Sequence, residues 1–565
     1  MSATAPLHAK IWHLYVPKLI TLLRRGYGLD DFRHDALAGL TVAIVALPLA
    51  MALAIASGAA PEKGLHTAIV AGFLISALGG SRVQIGGPTA AFIPVVFGVI
   101  EKFGYEGLIL CTLLAGLMLI AAGALRIGTL MRYMPQPVIT GFTAGIAVSI
   151  FSSQVKDLLG LHMGAVPAEF VARWQAYAQN IGSWQPAAVA LALGSVFAIV
   201  ALRRWTPRAP GFLIAVIGAT VLAAWLALPA DTIGSRFGGI PAALPTFALP
   251  HIPFERTREL LPSAFTIAFL AGVESLLSAV VADGMIGGRH RSNCELVAQG
   301  AANVAAALCG GLPATGALAR TATNVRSGAR TPVAGMLHAA FLLAFMLLLA
   351  PLMRYVPLPA LAAVLMVVAW NMAEIESFKH LMQGPLGDRA VLLVTFALTV
   401  LFDLTVAIEV GVVLAAFLFM HRMSEVVAIE SHVALVDNDE DDFARAPEPN
   451  QRAQLPPGVE AFQISGPLFF AVANRLDEVL NQFPVPPRVF ILRLRRVPLV
   501  DASGVTALRQ LLARCTQQGT RVIFSGLQAQ PREVLHSMGV REDGENLRFA
   551  ADFPTAVQVA TTLLS

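Results

Sequence analysis

The chain has 565 residues, of which 56% are hydrophobic and only 13% charged, with a mean hydropathy of +0.68 and a formal net charge of +4. Soluble proteins carry about 25% charged residues, so this composition excludes a string of soluble domains, and it is too apolar for a disordered chain. The charge is too small to indicate a nucleic-acid partner, and Cys111, Cys294, Cys309 and Cys515 have no metal-ligand spacing, which argues against a zinc site or a disulfide framework.

In chain order, residues 1–35 carry Lys10, Lys18, Arg24, Arg25 and Arg33 with Asp30, Asp31 and Asp35. No apolar run with a small-residue cleavage site appears there, so this is read as a cytoplasmic segment and not as a signal peptide. Residues 36–422 form a membrane domain. A window of about 19 residues places spans at 36–57, 66–79, 88–101, 106–125, 136–154, 184–202 and 210–229. A second set falls at 262–283, 294–309, 317–328, 331–352, 357–373, 389–403 and 404–421. The pieces 88–101 and 317–328 are too short to cross a bilayer that needs roughly 20 helical residues.

With the N-terminus inside, the even-numbered loops hold Arg82, Arg126, Arg132, Arg203, Arg204, Arg208, Arg289, Arg291, Arg326, Arg330, Lys379 and Arg389. The odd loops hold Lys102, Lys156, Arg236, Arg256 and Arg258. This positive bias puts both termini in the cytoplasm and fits a multi-pass protein of the inner (plasma) membrane.

Two Gly/Pro breaks are the most informative feature: Gly86-Gly87-Pro88-Thr89-Ala90-Ala91, and Gly310-Gly311-Leu312-Pro313-Ala314-Thr315-Gly316-Ala317. Each opens a short apolar half-helix, and each belongs to a different set of seven spans. Interrupted segments at matching positions of two halves point to a transporter binding site. Helix starts at mid-membrane aim free N–H groups and a positive dipole end at one place, which favours an anion. Arg320, just inside the second half-helix, adds a full positive charge. Pro48 interrupts the first span and is a candidate for the same cavity wall.

Glu274 lies inside the apolar span AFLAGVESLLSAVVAD. An intramembrane carboxylate is costly and marks function by default. It is a candidate proton carrier, or, with Ser278 one turn on, a ligand for a coupling cation. Residues 423–458 read as a linker, with an acidic run from Asp437 to Asp442 and a Pro-rich stretch from Pro447 to Pro457. Residues 459–565 read as a small α/β domain. VEAFQIS, LFFA, RVFILRL and TRVIFSG are predicted strands. VANRLDEVLNQF, SGVTALRQLLARC and AQPREVLHSMGV are predicted helices. This alternation implies a mostly parallel sheet.

Taken together, ALPLAMALAIASG, GGPTAAF, GALARTATNVRSGARTP and the closing strand–helix domain resemble the SulP family of anion transporters, in the family's order and over nearly the whole chain. The C-terminal part resembles the STAS domain shared with anti-sigma factor antagonists. ASGAAPEKGLHTAIVAG, ESLLSAVVADGM and LMVVAWNMAE look most like the family's bacterial dicarboxylic acid transporters. The resemblance implies about 14 helices in two inverted seven-helix repeats, split into core and gate domains, and homodimers. It implies a substrate site at Thr89, Ala90 and Ala91 on one half-helix and Ala319, Arg320 and Thr321 on the other, with Glu274 at the coupling position. In Asp501-Ala502-Ser503-Gly504, Ser503 matches a phosphorylated serine of such domains, or is simply a helix cap. Leu49 stands where many sulfate permeases have Gln, and Ala319 where many have Ser. Both remove a polar contact and shift the match toward the dicarboxylate- and bicarbonate-like branches.

The expected function is secondary active transport of a C4-dicarboxylate or a small inorganic anion such as sulfate, coupled to protons, by an elevator-like alternation. Sodium-coupled bicarbonate transport or anion exchange is the nearest alternative. An anion sensor signalling through the STAS domain is the alternative of another class. No Walker A or HExxH motif appears in the sequence, and neither a cofactor nor enzymatic activity is expected.

Overall fold

A computed structural model describes residues 13–131, 135–164, 166–206, 209–241, 243, 247, 256–402, 404–426, 428–430, 455–469 and 486–565. The first twelve residues, Arg132, Arg208, the acidic run, the Pro-rich stretch up to 454 and the predicted helix 472–483 lie outside them. Helices α1 (Leu29–Ala56), α2 (Pro61–Leu78), α3 (Ile93–Ala124) and α4 (Gln136–Leu159) come first. Then follow α5 (Pro186–Trp205), α6 (Gly211–Trp225), α7 (Thr257–Ile286) and α8 (Ser292–Leu308). The membrane part continues through α9 (Leu318–Arg326), α10 (Val333–Met353), α11 (Leu358–Met372), α12 (Leu386–Leu401) and α13 (Leu404–Val426).

All fourteen predicted spans fall on these helices. The pair 88–101 and 106–125 is carried by α3, which bends where Gly104 takes φ 74°. Such a conformation suits a residue without a Cβ. Among the described residues, seven helical stretches are long and apolar enough to cross a bilayer. Phe197, Val200, Val221 and Trp225 stand exposed on α5 and α6, as lipid-facing positions do. An amphipathic helix at Phe170–Asn180 lies between α4 and α5, where no span was expected.

The helices pack as two bundles. Helices α1, α2, α3, α7, α8, α9 and α10 pack mainly on one another, while α4 packs on α11 and α12, and α5 on α6 and α11. Lipid tails are as apolar as side chains, so close van der Waals contact must hold such bundles. The crossing of α3 and α8 shows how: a Cβ on Gly116 would sit 2.8 Å from the Gly300 oxygen, and one on Gly300 would sit 2.5 Å from the Gly116 oxygen. In the first bundle the two breaks meet as a short antiparallel ladder, β1 (Gly86–Gly87) against β2 (Thr315–Gly316), with Gly86 opposite Gly316 and Gly87 opposite Thr315.

The chain divides into two compact units, 1–415 and 416–565. The second holds a five-stranded sheet in the order β3 (Ala428–Glu430), β4 (Val459–Ser465), β5 (Val489–Arg496), β6 (Arg521–Ser525) and β7 (Leu547–Ala550). From β4 to β7 the pairs are parallel, and β3 is antiparallel to β4. Alternation along β5 explains the layers. Phe490, Leu492 and Leu494 join the core containing Val505, Leu508 and Leu511 of α14 (Ala502–Gln517). Val489 and Ile491 join Phe553, Ala556 and Ala560 of the C-terminal helix Phe553–Leu564. The predicted helix at AQPREVLHSMGV runs over Ala529–Ser537. Of LFFA, Leu468 makes an isolated bridge to Val500, and Phe470 and Ala471 lie outside the described residues. Asp501, not Ser503, caps α14: its Oδ1 accepts the Gly504 N–H at 2.7 Å. The cap falls there because the carboxylate reaches the N–H three residues on, which leaves Ser503 half-buried in the first turn.

Candidate functional site

The ladder of β1 and β2 places the two half-helix starts side by side. The chain leaves β1 through Pro88 and Thr89 into a short 3₁₀ turn (Ala90–Phe92) that leads into α3, with no side-chain cap on the turn. It leaves β2 through Ala317 into α9, also without a side-chain cap. Ala317 N–H donates to the Ile85 oxygen at 2.8 Å, and Ile85 N–H donates to Thr321 Oγ1 at 3.1 Å. Thus the start of α9 is stitched to the residue directly before β1, on the approach to the other half-helix.

Both starts open on a cavity of about 350 Å³ whose walls include Thr89, Ala90, Ala91, Glu274, Ala319 and Arg320. Most of the remaining wall is apolar, with Leu49, Phe142, Phe212 and Phe269 among its side chains. Few polar groups in an apolar cleft is the usual build of a small-molecule site. Arg320 is 3% exposed. Its Nη2 donates to the Pro88 carbonyl, while its Nη1 is buried without a hydrogen-bond partner. A buried guanidinium nitrogen left unpaired is costly, and an incoming anion would satisfy it. Glu274 is half-buried on α7 and accepts a hydrogen bond from Thr89 Oγ1 at 2.9 Å. The site therefore joins a fixed positive charge, two uncapped helix starts and a carboxylate tied to one of those starts.

Of the predicted residues, Thr89, Ala90, Ala91, Ala319, Arg320 and Glu274 share this wall. Thr321 stands behind it, 1% exposed, as a hydrogen-bond acceptor. Ser278 is fully buried and donates to Thr321 Oγ1 at 3.1 Å, so its hydroxyl is turned toward α9. Pro48 is buried within α1 while Val45 and Leu49 reach the wall. The sequence reading missed Gln84, Ser275, Glu295, Gln299 and Asn303, all buried behind the breaks. Three of them recur every fourth residue inside an apolar run, which is a legible signal of one polar helix face.

Gly87 shows how tightly the site is built. A Cβ there would lie 2.5 Å from Arg320 Nη1, and its φ of 151° is one that L side chains rarely adopt. Gly87→Ala is therefore expected to push the guanidinium off its position and raise the half-saturating anion concentration about tenfold, ~1.4 kcal/mol. Concentration-dependent uptake into proteoliposomes measures it.

A helical membrane domain with two matched interrupted spans at one cavity, followed by an α/β domain with a mostly parallel sheet, is the build expected of a membrane transport protein. The chain belongs to the sulfate permease family: that family's model matches residues 32–395, and the STAS domain model matches residues 450–551. It is 41% identical over 521 residues to a protein of Bacillus subtilis (strain 168) named "Putative sulfate transporter YvdB", covering 91% of this chain and 95% of that one. It is 31% identical over 522 residues to the bicarbonate transporter BicA of Picosynechococcus sp., covering 90% and 91%. Its fold matches the inward-facing structure of the murine anion transporter Slc26a9 with a TM-score of 0.86 at 20% identity, over 99% of this chain and 96% of that chain. The chain is thus a multi-pass membrane protein of an anion-transporter family.

Proposed function

We propose that the chain is a proton-coupled secondary transporter that takes up a C4-dicarboxylate or a small inorganic anion such as sulfate, and that the anion sits between the two half-helix starts. The observation that carries this is Arg320, whose buried Nη1 has no hydrogen-bond partner and which lines a cavity together with Glu274. A cavity of about 350 Å³ is roughly ten times the ~30 Å³ share of one water, room for either anion. The division into two helix bundles supports an elevator-like alternation, in which the bundle carrying both breaks moves against the other. Both termini lie in the cytoplasm of a cell bounded by this inner (plasma) membrane.

Proton coupling is favoured over sodium because the Ser278 hydroxyl donates to Thr321 while the Glu274 carboxylate accepts from Thr89, so Ser278 and Glu274 are not paired as two oxygen ligands of one cation. The likeness to BicA, together with apolar Leu49 and Ala319, supports a second reading, bicarbonate transport. Counterflow in proteoliposomes with labelled succinate, sulfate and bicarbonate in parallel separates them. Binding of an anion without movement of any would overturn transport and favour a sensor.

The anion pathway is confined to the membrane domain. A chain cut near Val436 is expected to insert and to bind anion with at most a threefold change in affinity, although its rate or abundance falls. Support comes from BicA, whose transmembrane domain has a structure of its own that matches 68% of this chain at 29% identity with a TM-score of 0.63. Binding by the purified truncate checks it, and complete loss in correctly inserted protein would show that the STAS domain completes the site.

A further inference from the structure

We propose that α8 is a positioning strut for the anion site: the row Glu295, Gln299 and Asn303 holds the backbone leading into both half-helices and so sets the spacing of their starts around the anion. The inference rests on the site reading above and deepens it.

The three residues follow one another at intervals of four, so they stack along one face of α8, and all three are fully buried. At one end, Glu295 Oε2 accepts the N–H groups of Gly80 at 2.8 Å and Ser81 at 3.1 Å. Its Oε1 accepts from Gln299 Nε2 at 2.9 Å and from Ser275 Oγ at 3.4 Å. Ser275 directly follows Glu274 on α7, and its carbonyl and hydroxyl take the Gln84 side-chain amide at 2.9 and 3.1 Å. Gln84 lies two residues before β1. At the other end, Asn303 Oδ1 accepts the Ala314 N–H at 2.8 Å, and its Nδ2 donates to the Ala314 and Gln299 carbonyls at 2.8 Å each. Ala314 directly precedes β2.

One helix face therefore grips the approach to both breaks and the α7 turn that carries Glu274. The physical need is clear. Non-helical backbone at membrane depth must find its partners in protein, and each unmatched buried group costs about 1–3 kcal/mol. The four donors on Glu295 are all neutral, so its carboxylate works as a multi-armed acceptor for loop backbone and neighbouring side chains. Because the strut touches both approaches, loosening one end shifts one half-helix start relative to the other, and the anion contacts with it.

The test uses the full chain in proteoliposomes, with whichever of sulfate, bicarbonate and succinate the unaltered protein transports. Asn303→Ala is expected to raise the half-saturating concentration at least fivefold in the folded fraction. Asn303→Asp, which keeps the acceptor for Ala314 but loses both donations, should fall between. Glu295→Gln should be milder than Glu295→Ala. Asn303→Ala combined with Arg320→Ala should cost less than the product of the single effects, since both act on one contact set. Lower yield of folded protein with unchanged half-saturation would reduce the row to a structural role and overturn the proposal. If Arg320→Ala also leaves half-saturation unchanged, the fault lies in the site reading instead. Should Asn303→Ala not fold, hydrogen exchange on the unaltered protein decides. The Ala314 amide is expected to exchange slowly, and more slowly still with the transported anion, by reciprocity of coupling. Exchange there that the anion leaves unchanged overturns the strut.

Discussion

Replacing Arg320 with alanine is expected to weaken anion affinity more than tenfold, ~1.4 kcal/mol or more. The guanidinium is 3% exposed, is held by the Pro88 carbonyl through Nη2, and has a buried Nη1 without a hydrogen-bond partner, on a residue that lines the cavity. Two helix starts remain after truncation, each equivalent to roughly half a charge, so binding should weaken without vanishing. Lysine should restore only part of the affinity. It is a compact point charge without the planar fork that can grip a carbonyl and an anion at once. Equilibrium binding to the purified Arg320→Ala and Arg320→Lys proteins measures both effects. Unchanged affinity in Arg320→Ala would leave the helix starts as the whole site.

The breaks were legible in the sequence because their signal is local. Glycine and proline cluster where a helix must stop, and an arginine in an apolar half-helix stands out against its neighbours. The helix bundle was legible for the same reason: long apolar runs carry their own period and length. Partners were not legible. Thr89 and Glu274 are 185 residues apart and meet only in the folded bundle, where the two breaks pair as a ladder. Ser278 was placed beside Glu274 by helical spacing, which fixes a shared face but not where a hydroxyl turns; Thr321, an acceptor on α9, took it. The cap of α14 fell two residues earlier than Ser503 because Asp501 accepts the same kind of bond with a full charge. The row Glu295–Gln299–Asn303 lay in plain view at a spacing of four. A hydropathy window averages such a row away, since the alanines around it keep the mean high.

Glu274→Gln is expected to bind and exchange anion while losing accumulation driven by a pH gradient. Glu274 and Arg320 line one cavity, and the proposed anion position lies between the half-helix starts. An ionised carboxylate beside that anion repels it, and the repulsion is strong where little water screens it. A proton on Glu274 cancels the repulsion, so anion and proton bind with positive coupling, and that coupling must be reciprocal. Uptake should therefore rise as external pH falls. Glutamine keeps the shape and an oxygen that accepts from Thr89, as Glu274 does at 2.9 Å, but it carries no exchangeable charge. It should mimic the protonated state at every pH. Exchange of labelled for unlabelled anion then persists, because neither direction needs a net proton. Net accumulation fails, because no proton moves with the anion. Proteoliposomes carrying a pH gradient or a sodium gradient separately give the answer. Uptake that follows sodium and ignores pH would sink the proton reading, and uptake indifferent to both would make the protein an exchanger or a uniporter, with Glu274 a structural partner of Thr89.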